Sequence, residues 1–447
     1  MSGTRPTVTV IGGGITGLAA AWELSAHDDL EITVLEAGRR FGGKISTSPF
    51  AGRLVDEGAD AFLRRVPEAV ELCRELGLDD LTSPATGSAF IWADGALHRI
   101  PDGLVLGVPA TFDDLDRSDV LSPAGRARAR LEPHVEGEPL VGDCSVAELI
   151  DTRFGPEVTR RLVEPLIGGI YAGVADRLSL DAVLPQLAEV AHSRTVLSTA
   201  LSERQASSVA HGPVFSAPVD GMDALIGALV AALETRGVRL ATSHPVDALP
   251  PGDGVIVATP APVSARLVEP LSPEAAALLA GIEYASVALV TLAYRGTDID
   301  IELDGSGFLV PRDAGLFITA ASWATTKWAH LAGPDDVVIL RVSAGHREDR
   351  RPDAMTDDQL VAAMCADLRV TMGVDAAPSE VRVSRHRDGF PQYDVGHLDR
   401  IERIDSLLRE AAPHVLVTGS AHRGLGIPAC IRQGRAAARS LAARLLP

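Results

Sequence analysis

The chain has 447 residues, of which 46% are apolar and 23% charged, and carries a net charge of −19 at neutral pH. Its length exceeds a single hydrophobic core and predicts two or three domains, while its acidity argues against a nucleic-acid backbone or an anionic lipid surface as partner. No apolar run reaches the ~18–20 residues that span a bilayer, and no signal peptide is expected, which makes the cytoplasm the expected location.

Cys73, Cys144, Cys365 and Cys430 lie far apart. This predicts buried thiols and neither a metal site nor a disulfide framework. Lys44 and Lys327 are the only lysines, and both fall inside motif-like stretches.

The first predicted element is the β-type run Thr7-Val-Thr-Val-Ile, which leads into Gly12-Gly-Gly14-Ile-Thr-Gly17 and a helix-type run. A second β-type run, Glu31-Ile-Thr-Val-Leu, ends at Glu36. Strand, Gly-x-Gly-x-x-Gly, helix and an acid in this order fit an adenosine dinucleotide. Gly12 allows the tight turn, Gly14 lets the backbone approach a pyrophosphate, and Gly17 lets helix and strand pack closely. The helix start offers free N–H groups to the phosphates, and Glu36 can accept from a ribose diol.

Further along, Val66 to Leu76 carries apolar residues at helical spacing, and residues 89–100 read as a hairpin turning at Asp94-Gly95. Ser122 to Ser208 is mainly helical in pattern, interrupted by a predicted loop or bend at Gly168-Gly169-Ile170-Tyr171-Ala172-Gly173. Gly221 to Gly237 reads as an amphipathic helix, and Asp253 to Thr259 as a buried parallel strand. Ala285 to Tyr294, Gly307 to Val310, Leu316 to Ala321 and Val337 to Val342 read as strands of a second sheet. His414 to Gly419 is again a buried strand, followed by Gly424-Leu-Gly426-Ile-Pro428 and a helix to the end. The nucleotide-type elements thus come in three pieces, an arrangement more typical of large flavoproteins than of a simple NAD dehydrogenase.

The chain resembles the FAD-dependent amine-oxidase and phytoene-desaturase superfamily through Gly12 to Gly17, Glu36, Arg40-x-Gly42-Gly43-Lys44 and the final glycine-rich strand and helix. Within it, several stretches resemble the protoporphyrinogen and coproporphyrinogen oxidases, most closely the Gram-positive type. They are Gly58-Ala-Asp60-Ala-Phe62-Leu63, Glu164-Pro165-Leu166-x-x-Gly169-Ile170-Tyr171-Ala172-Gly173, Gly307-Phe308-Leu309-Val310-Pro311, Trp323-Ala-Thr-Thr-Lys327-Trp328-x-His330, Pro391-Gln392-Tyr393-x-Val395-Gly396-His397 and Gly424-x-Gly426-Ile427-Pro428-x-Cys430-Ile431. Two departures stand out. Relatives often carry a lysine after Phe-Leu-x-Arg, where this chain has Leu63-Arg64-Arg65-Val66, and Arg-Trp where it has Arg385-His386.

The resemblance implies an α/β fold: a discontinuous Rossmann-like FAD-binding domain (1–65, 210–275 and 385–447), a mainly helical insertion (85–209) and a β-sheet substrate-binding domain (66–84 and 276–384). It implies FAD contacts from Gly12, Gly13, Gly14, Ile15, Thr16, Gly17, Glu36, Ala37, Arg40, Gly43, Lys44, Gly58, Ala59, Asp60, Ala61, Val246, Gly419, Gly426 and Ile427. The implied reaction is the six-electron aromatisation of coproporphyrinogen III, by hydride transfer to flavin and reoxidation by dioxygen with release of hydrogen peroxide. A ferrochelatase-type enzyme is an expected downstream partner.

Candidate catalytic side chains are Lys44, Tyr171 and Arg65. Lys44 suits negative charge on the flavin or a propionate, and Tyr171 suits stacking or a hydrogen bond. Arg64, Arg65 and Lys327 suit propionates. His330, His397 and His422 are scattered in sequence and read as structural. The free N–H groups at Gly424 to Pro428 suit the flavin pyrimidine. Three alternatives remain at this stage: protoporphyrinogen IX oxidation, an amine oxidase or desaturase, and a non-catalytic escort-type binding protein without stoichiometric flavin.

Overall fold

A computed structural model describes residues 5–135, 137–194, 196–207 and 212–446. The short apolar runs pair as a five-stranded sheet that is parallel throughout. Its order is Arg239–Ala241, Glu31–Leu35, Thr7–Ile11, Gly254–Val257, Val415–Val417. Parallel strands need cover on both faces. Helices Ile15–Leu24, Asp223–Thr235 and Ile427–Leu445 bury one face around Val10, Leu18, Ile256 and Ile431. Helices Ala261–Val268, Pro273–Ala280 and His397–Ala411 bury the other around Val255, Val257, Ile401 and Val415. The first and last helices touch closely. A Cβ on Gly434 would lie 2.2 Å from the Thr16 carbonyl oxygen, so only glycine fits there.

The strand order reverses at Thr7–Ile11. The chain adds Glu31–Leu35 on one side, and later Gly254–Val257 on the other. The loops leaving these strands must diverge, which opens a crevice at their carboxyl ends.

A second, seven-stranded sheet has the order Glu380–Pro391, Tyr284–Arg295, Val337–Ala344, Ile318–Trp323, Gly307–Leu309, Phe90–Ala93, Ala96–Arg99. It is antiparallel except between Gly307–Leu309 and Phe90–Ala93. Helix Asp357–Met372 covers one face through Leu360, Met364 and Leu368. A third core gathers Ile150, Phe154, Leu162, Ile167 and Leu187 from the helices between residues 113 and 207.

Four expectations change. The hairpin at 90–99 belongs to the second sheet rather than to the helical insertion, because Phe90 and Ile91 pair with Phe308 and Leu309. Its turn residues Asp94 and Gly95 both have positive φ (51° and 82°), as a two-residue hairpin requires. Helix Pro67–Glu75 packs on the nucleotide core through Ala69, Leu72 and Cys73, not on the second sheet. Strand Glu380–Pro391 crosses the expected boundary at 385 without a break. Finally, Gly168 and Gly169 do not break the chain. A π-helical turn, Thr159–Val163, runs into helix Glu164–Tyr171, which ends where Ala172 turns left-handed. Burial of Ile167 and Tyr171 in the helical core outweighs the low helix propensity of glycine. The expected boundary at 209/210, and Ser208, lie outside the described residues.

Candidate cofactor and substrate site

The crevice is walled first by the Gly12–Gly17 turn. Gly12 has φ +106°, and a Cβ there would meet the Ala258 carbonyl oxygen at 2.6 Å. A Cβ on Gly17 would lie 1.9 Å from the Gly12 carbonyl oxygen. Both positions are therefore closed to side chains by the turn itself. Gly14 is different: a Cβ there would meet nothing within 4 Å. Its absent side chain leaves a cradle on the ligand side. Gly14 also caps helix Ile15–Leu24 with no side-chain hydrogen bond, so the first N–H groups of the helix remain available to an anion. Ile15 and Thr16 are buried behind them.

Glu36 sits at the lip. Its Oε2 accepts from the Gly13 N–H at 2.7 Å and its Oε1 from Gly38 at 2.6 Å. A carboxylate has lone pairs beyond these two, so it can still accept from a ribose diol. Exposed Ala37 follows it. The His244 N–H donates to the Glu36 carbonyl (2.9 Å), which brings half-buried Val246 beside the same lip.

The next loop folds back over the first turn. The Gly42 N–H donates to Gly13 O at 2.8 Å, and a Cβ on Gly43 would lie 3.3 Å from Gly14 Cα. Arg40 shapes this loop, donating to the carbonyls of Phe41 (3.0 Å), Gly43 (2.9 Å) and Ile45 (2.7 Å). Lys44 then projects into the crevice. It is solvent-accessible, yet protein surrounds it closely enough for desolvation to lower its pKa, with Cys430 opposing. A side chain reached by water but ringed by protein lines a cleft. Lys44 has no ion-pair partner among the described residues.

Gly58 crosses the Lys44 backbone so closely that a Cβ would lie 2.8 Å from the Lys44 carbonyl oxygen. His386, which stands where relatives often carry tryptophan, packs on Gly58 and meets the Glu57 carbonyl through Nε2 at 3.0 Å. Desolvation lowers its pKa, as does the nearby Lys44. Ala59 is exposed and Ala61 half-buried.

The Asp60 carboxylate is held by three donors. Its Oδ2 receives Lys327 Nζ at 2.9 Å, Arg341 Nη1 at 2.8 Å and Trp328 Nε1 at 3.1 Å. Burial alone would raise its pKa, but the two cations and these hydrogen bonds hold it well below the usual carboxylate range. Arg341 also donates to the Gly58 carbonyl. The Gly58–Ala61 loop is thus latched to the second sheet. Lys327, for which a propionate role was expected, shares the Asp60 carboxylate with Arg341. Lys327 ends a short helix, Ala324–Lys327, rather than lying on a strand edge. Arg341 escaped sequence reasoning, because a strand arginine carries no local signal of its partner.

The third wall is the C-terminal turn. Helix Ile427–Leu445 starts at Gly426 with no side-chain cap. Gly419 (φ +132°) is buried, yet a Cβ on it would meet nothing within 4 Å. Like Gly14, it borders open space.

The remaining candidates divide. Arg64 and Arg65 are exposed; Arg64 reaches only Ser216 Oγ (3.4 Å), and Arg65 has no partner among the described residues. Tyr171 is buried in the helical core, its hydroxyl 3.4 Å from the Val183 carbonyl and its ring beside Tyr393. It packs rather than facing open space. The same helix leaves Ile170 45% exposed, and Gly169 faces Leu309. His330 packs on Trp328. His397 and His422, far apart in sequence, meet in the core, where His397 Nε2 lies 2.8 Å from the His422 carbonyl. Among the described residues, no three His, Cys, Asp or Glu groups are placed to hold a metal ion. Nor does any described helix have the length and apolarity to cross a membrane.

Residues 15–442 match the flavin containing amine oxidoreductase family. The chain belongs to that family. FAD is its cofactor, and the cradle fits it: open glycines at 14 and 419, two uncapped helix starts, Glu36 at the lip and Lys44 in the cleft. The chain is 32% identical to the coproporphyrinogen III oxidase of Bacillus subtilis (strain 168), over 98% of each chain. It is 35% identical to the enzyme of that name from Mycobacterium tuberculosis (strain ATCC 25618 / H37Rv), over 96% of this chain and 95% of that one. A solved structure from Exiguobacterium sp. 255-15, described only provisionally as a protoporphyrinogen oxidase, superposes with a TM-score of 0.86 at 30% identity, covering 98% of this chain and 99% of that chain.

Proposed function

We propose that this protein is an oxygen-dependent oxidase that converts coproporphyrinogen III to coproporphyrin III in haem biosynthesis. The observation that carries the reading is end-to-end similarity to proteins of that name, on a chain whose crevice fits FAD. Bound FAD supplies two-electron oxidation, used three times per macrocycle, with three dioxygen molecules reduced to three of hydrogen peroxide. The chain's own part is to bind, orient and exclude water.

Lys44 brings an ammonium with no ion-pair partner among the described residues into the cleft, suited to stabilise negative charge on the cofactor or on a substrate propionate. Arg64 and Arg65 offer guanidinium groups with no carboxylate partner among the described residues, suited to propionates. Exposed Ile170, with Gly169 against Leu309, gives an apolar wall for a flat macrocycle. The cytoplasm is the location that suits this reading, and a ferrochelatase-type enzyme is the downstream partner.

The bovine protoporphyrinogen oxidase, 26% identical over 97% of each chain, marks the second substrate to test. The experiment is aerobic porphyrin fluorescence with FAD-loaded protein, comparing coproporphyrinogen III and protoporphyrinogen IX. Faster turnover of the first, with peroxide released, supports the proposal. Preference for the second moves the substrate assignment, and turnover of neither by yellow protein overturns it.

A further inference from the structure

We propose that Tyr393 and His397 are positioning residues that fix the Gly419–Gly426 turn against the cofactor and set its register with the helical lobe. The inference rests on the flavin reading of the crevice. Tyr393 is fully buried. Its hydroxyl donates to the Ser420 carbonyl at 2.6 Å and accepts from the Gly424 N–H at 3.1 Å. One oxygen therefore bridges two points of the turn, four residues apart. The Tyr393 ring stacks on the His397 ring, with centroids 4.1 Å apart and planes 14° apart.

His397 holds the point between. Burial lowers its pKa to about 4, so the ring is neutral. A carbonyl only accepts, so Nε2 carries the proton donated to His422 O. Gln433 completes the frame, accepting from the Arg423 N–H at 2.8 Å and donating to the Gly424 carbonyl at 2.9 Å. Backbone groups of residues 420, 422, 423 and 424 are thus all engaged from behind. The crevice side is left to Gly419 and to the uncapped helix start at Gly426. Donors locked in this way need no reorganisation when charge develops on the cofactor.

The segment carrying Tyr393 also grips the helical lobe. The Tyr393 carbonyl accepts from the Ser179 N–H at 2.8 Å, the Val395 N–H donates to Arg177 O at 3.1 Å, and Gln392 Nε2 donates to Tyr171 O at 2.9 Å. That last carbonyl ends the helix bearing Gly169 and Ile170. Cofactor turn and substrate wall therefore share one support.

The test uses the full chain, with Tyr393→Phe keeping the ring and its stack but losing the hydroxyl. We expect FAD affinity of the apoprotein, read by flavin fluorescence, to weaken about tenfold. The flavin midpoint potential falls by about 30 mV if the reduced state loses tenfold more. In turnover, kcat falls while KM for the porphyrinogen holds. Tyr294→Phe removes a buried hydroxyl near Cys365 in the second sheet and serves as the control, lowering stability without moving affinity or potential. The proposal is overturned if Tyr393→Phe melts earlier yet binds FAD at wild-type affinity and potential. Should that variant not fold, His397→Leu is compared with His397→Gln, which retains an N–H donor; equal FAD affinity and potential in the two overturns it as well. Failure of the wild type to bind FAD, by contrast, refutes the reading of the crevice and not the role of these side chains alone.

Discussion

Two glycine turns follow the carboxyl ends of strands in the parallel sheet, and they are built differently. The N-terminal turn is local. Strand, turn, helix and acid lie within residues 7–36, and Gly17 packs on a carbonyl five residues away. The C-terminal turn is held by Tyr393 and His397 from other elements, and by Gln433 of the helix it opens. The difference teaches that one cofactor can be gripped by a motif on one side and by a tertiary frame on the other. A change in the first should abolish binding, whereas a change in the second should tune it.

The largest effect is expected at the local turn. Gly17→Ala puts a Cβ within 1.9 Å of a backbone oxygen that cannot yield without opening the turn. FAD affinity should fall by about a hundredfold or more, and the purified protein should lose its flavin absorbance. Retained stoichiometric flavin would show that the turn is more plastic than its geometry implies.

Next comes the latch on the opposite loop. Asp60→Ala leaves Lys327 and Arg341 without their shared counter-charge. Breaking a buried pair costs about 3–5 kcal/mol, to be read as a lower midpoint in urea. The wild-type contribution has a defined pH sense. The folded pKa is depressed, so the stabilisation is present above the ordinary carboxylate range and is lost as pH falls below it. Asp60→Ala should flatten the acid limb of the stability profile.

Lys44→Met should separate chemistry from folding. The ammonium has no ion-pair partner to orphan among the described residues, so stability should hold while kcat/KM for coproporphyrinogen drops about ten- to a hundredfold. Desolvation lowers the Lys44 pKa, so wild-type activity should decline at an alkaline pH below the ordinary lysine value. Lys44→Arg should shift that decline upward. An unchanged alkaline limb in the arginine variant would remove Lys44 from the reaction.

The smallest effect belongs to the exposed rim. Arg65→Ala should raise KM by about threefold and weaken the salt dependence of turnover, with kcat unchanged. A KM insensitive to both substitution and salt would place propionate recognition elsewhere.

How much could be read beforehand follows the same division. The Gly-x-Gly-x-x-Gly turn and Glu36 were legible because the strands, glycines, helix and acid that make up the motif all lie within residues 7–36. The hairpin at Asp94-Gly95 was legible as a hairpin, but its membership of the second sheet was not, since that depends on Phe308 and Leu309 more than two hundred residues later. Lys327 was noticed but its partner was not, because Asp60 is 267 residues away. The Pro391–His397 stretch was visible as a motif without a role, because the partners that place Tyr393 and His397 (Ser179, Ser420, His422 and Gly424) lie far from them in the chain.

The sequence by itself determined the parallel nucleotide sheet, the cofactor class and the family, because strand periodicity, glycine conformation and short-range spacing are local properties. Tertiary structure alone decided that Asp60 is a latch, that Gly168 and Gly169 continue a helix, that Lys44 stands in a cleft with no ion-pair partner among the described residues, and that two distant histidines meet behind the final turn. The physical reason is that burial and counter-charge are set by what packs against a residue, and chain distance does not specify that neighbour.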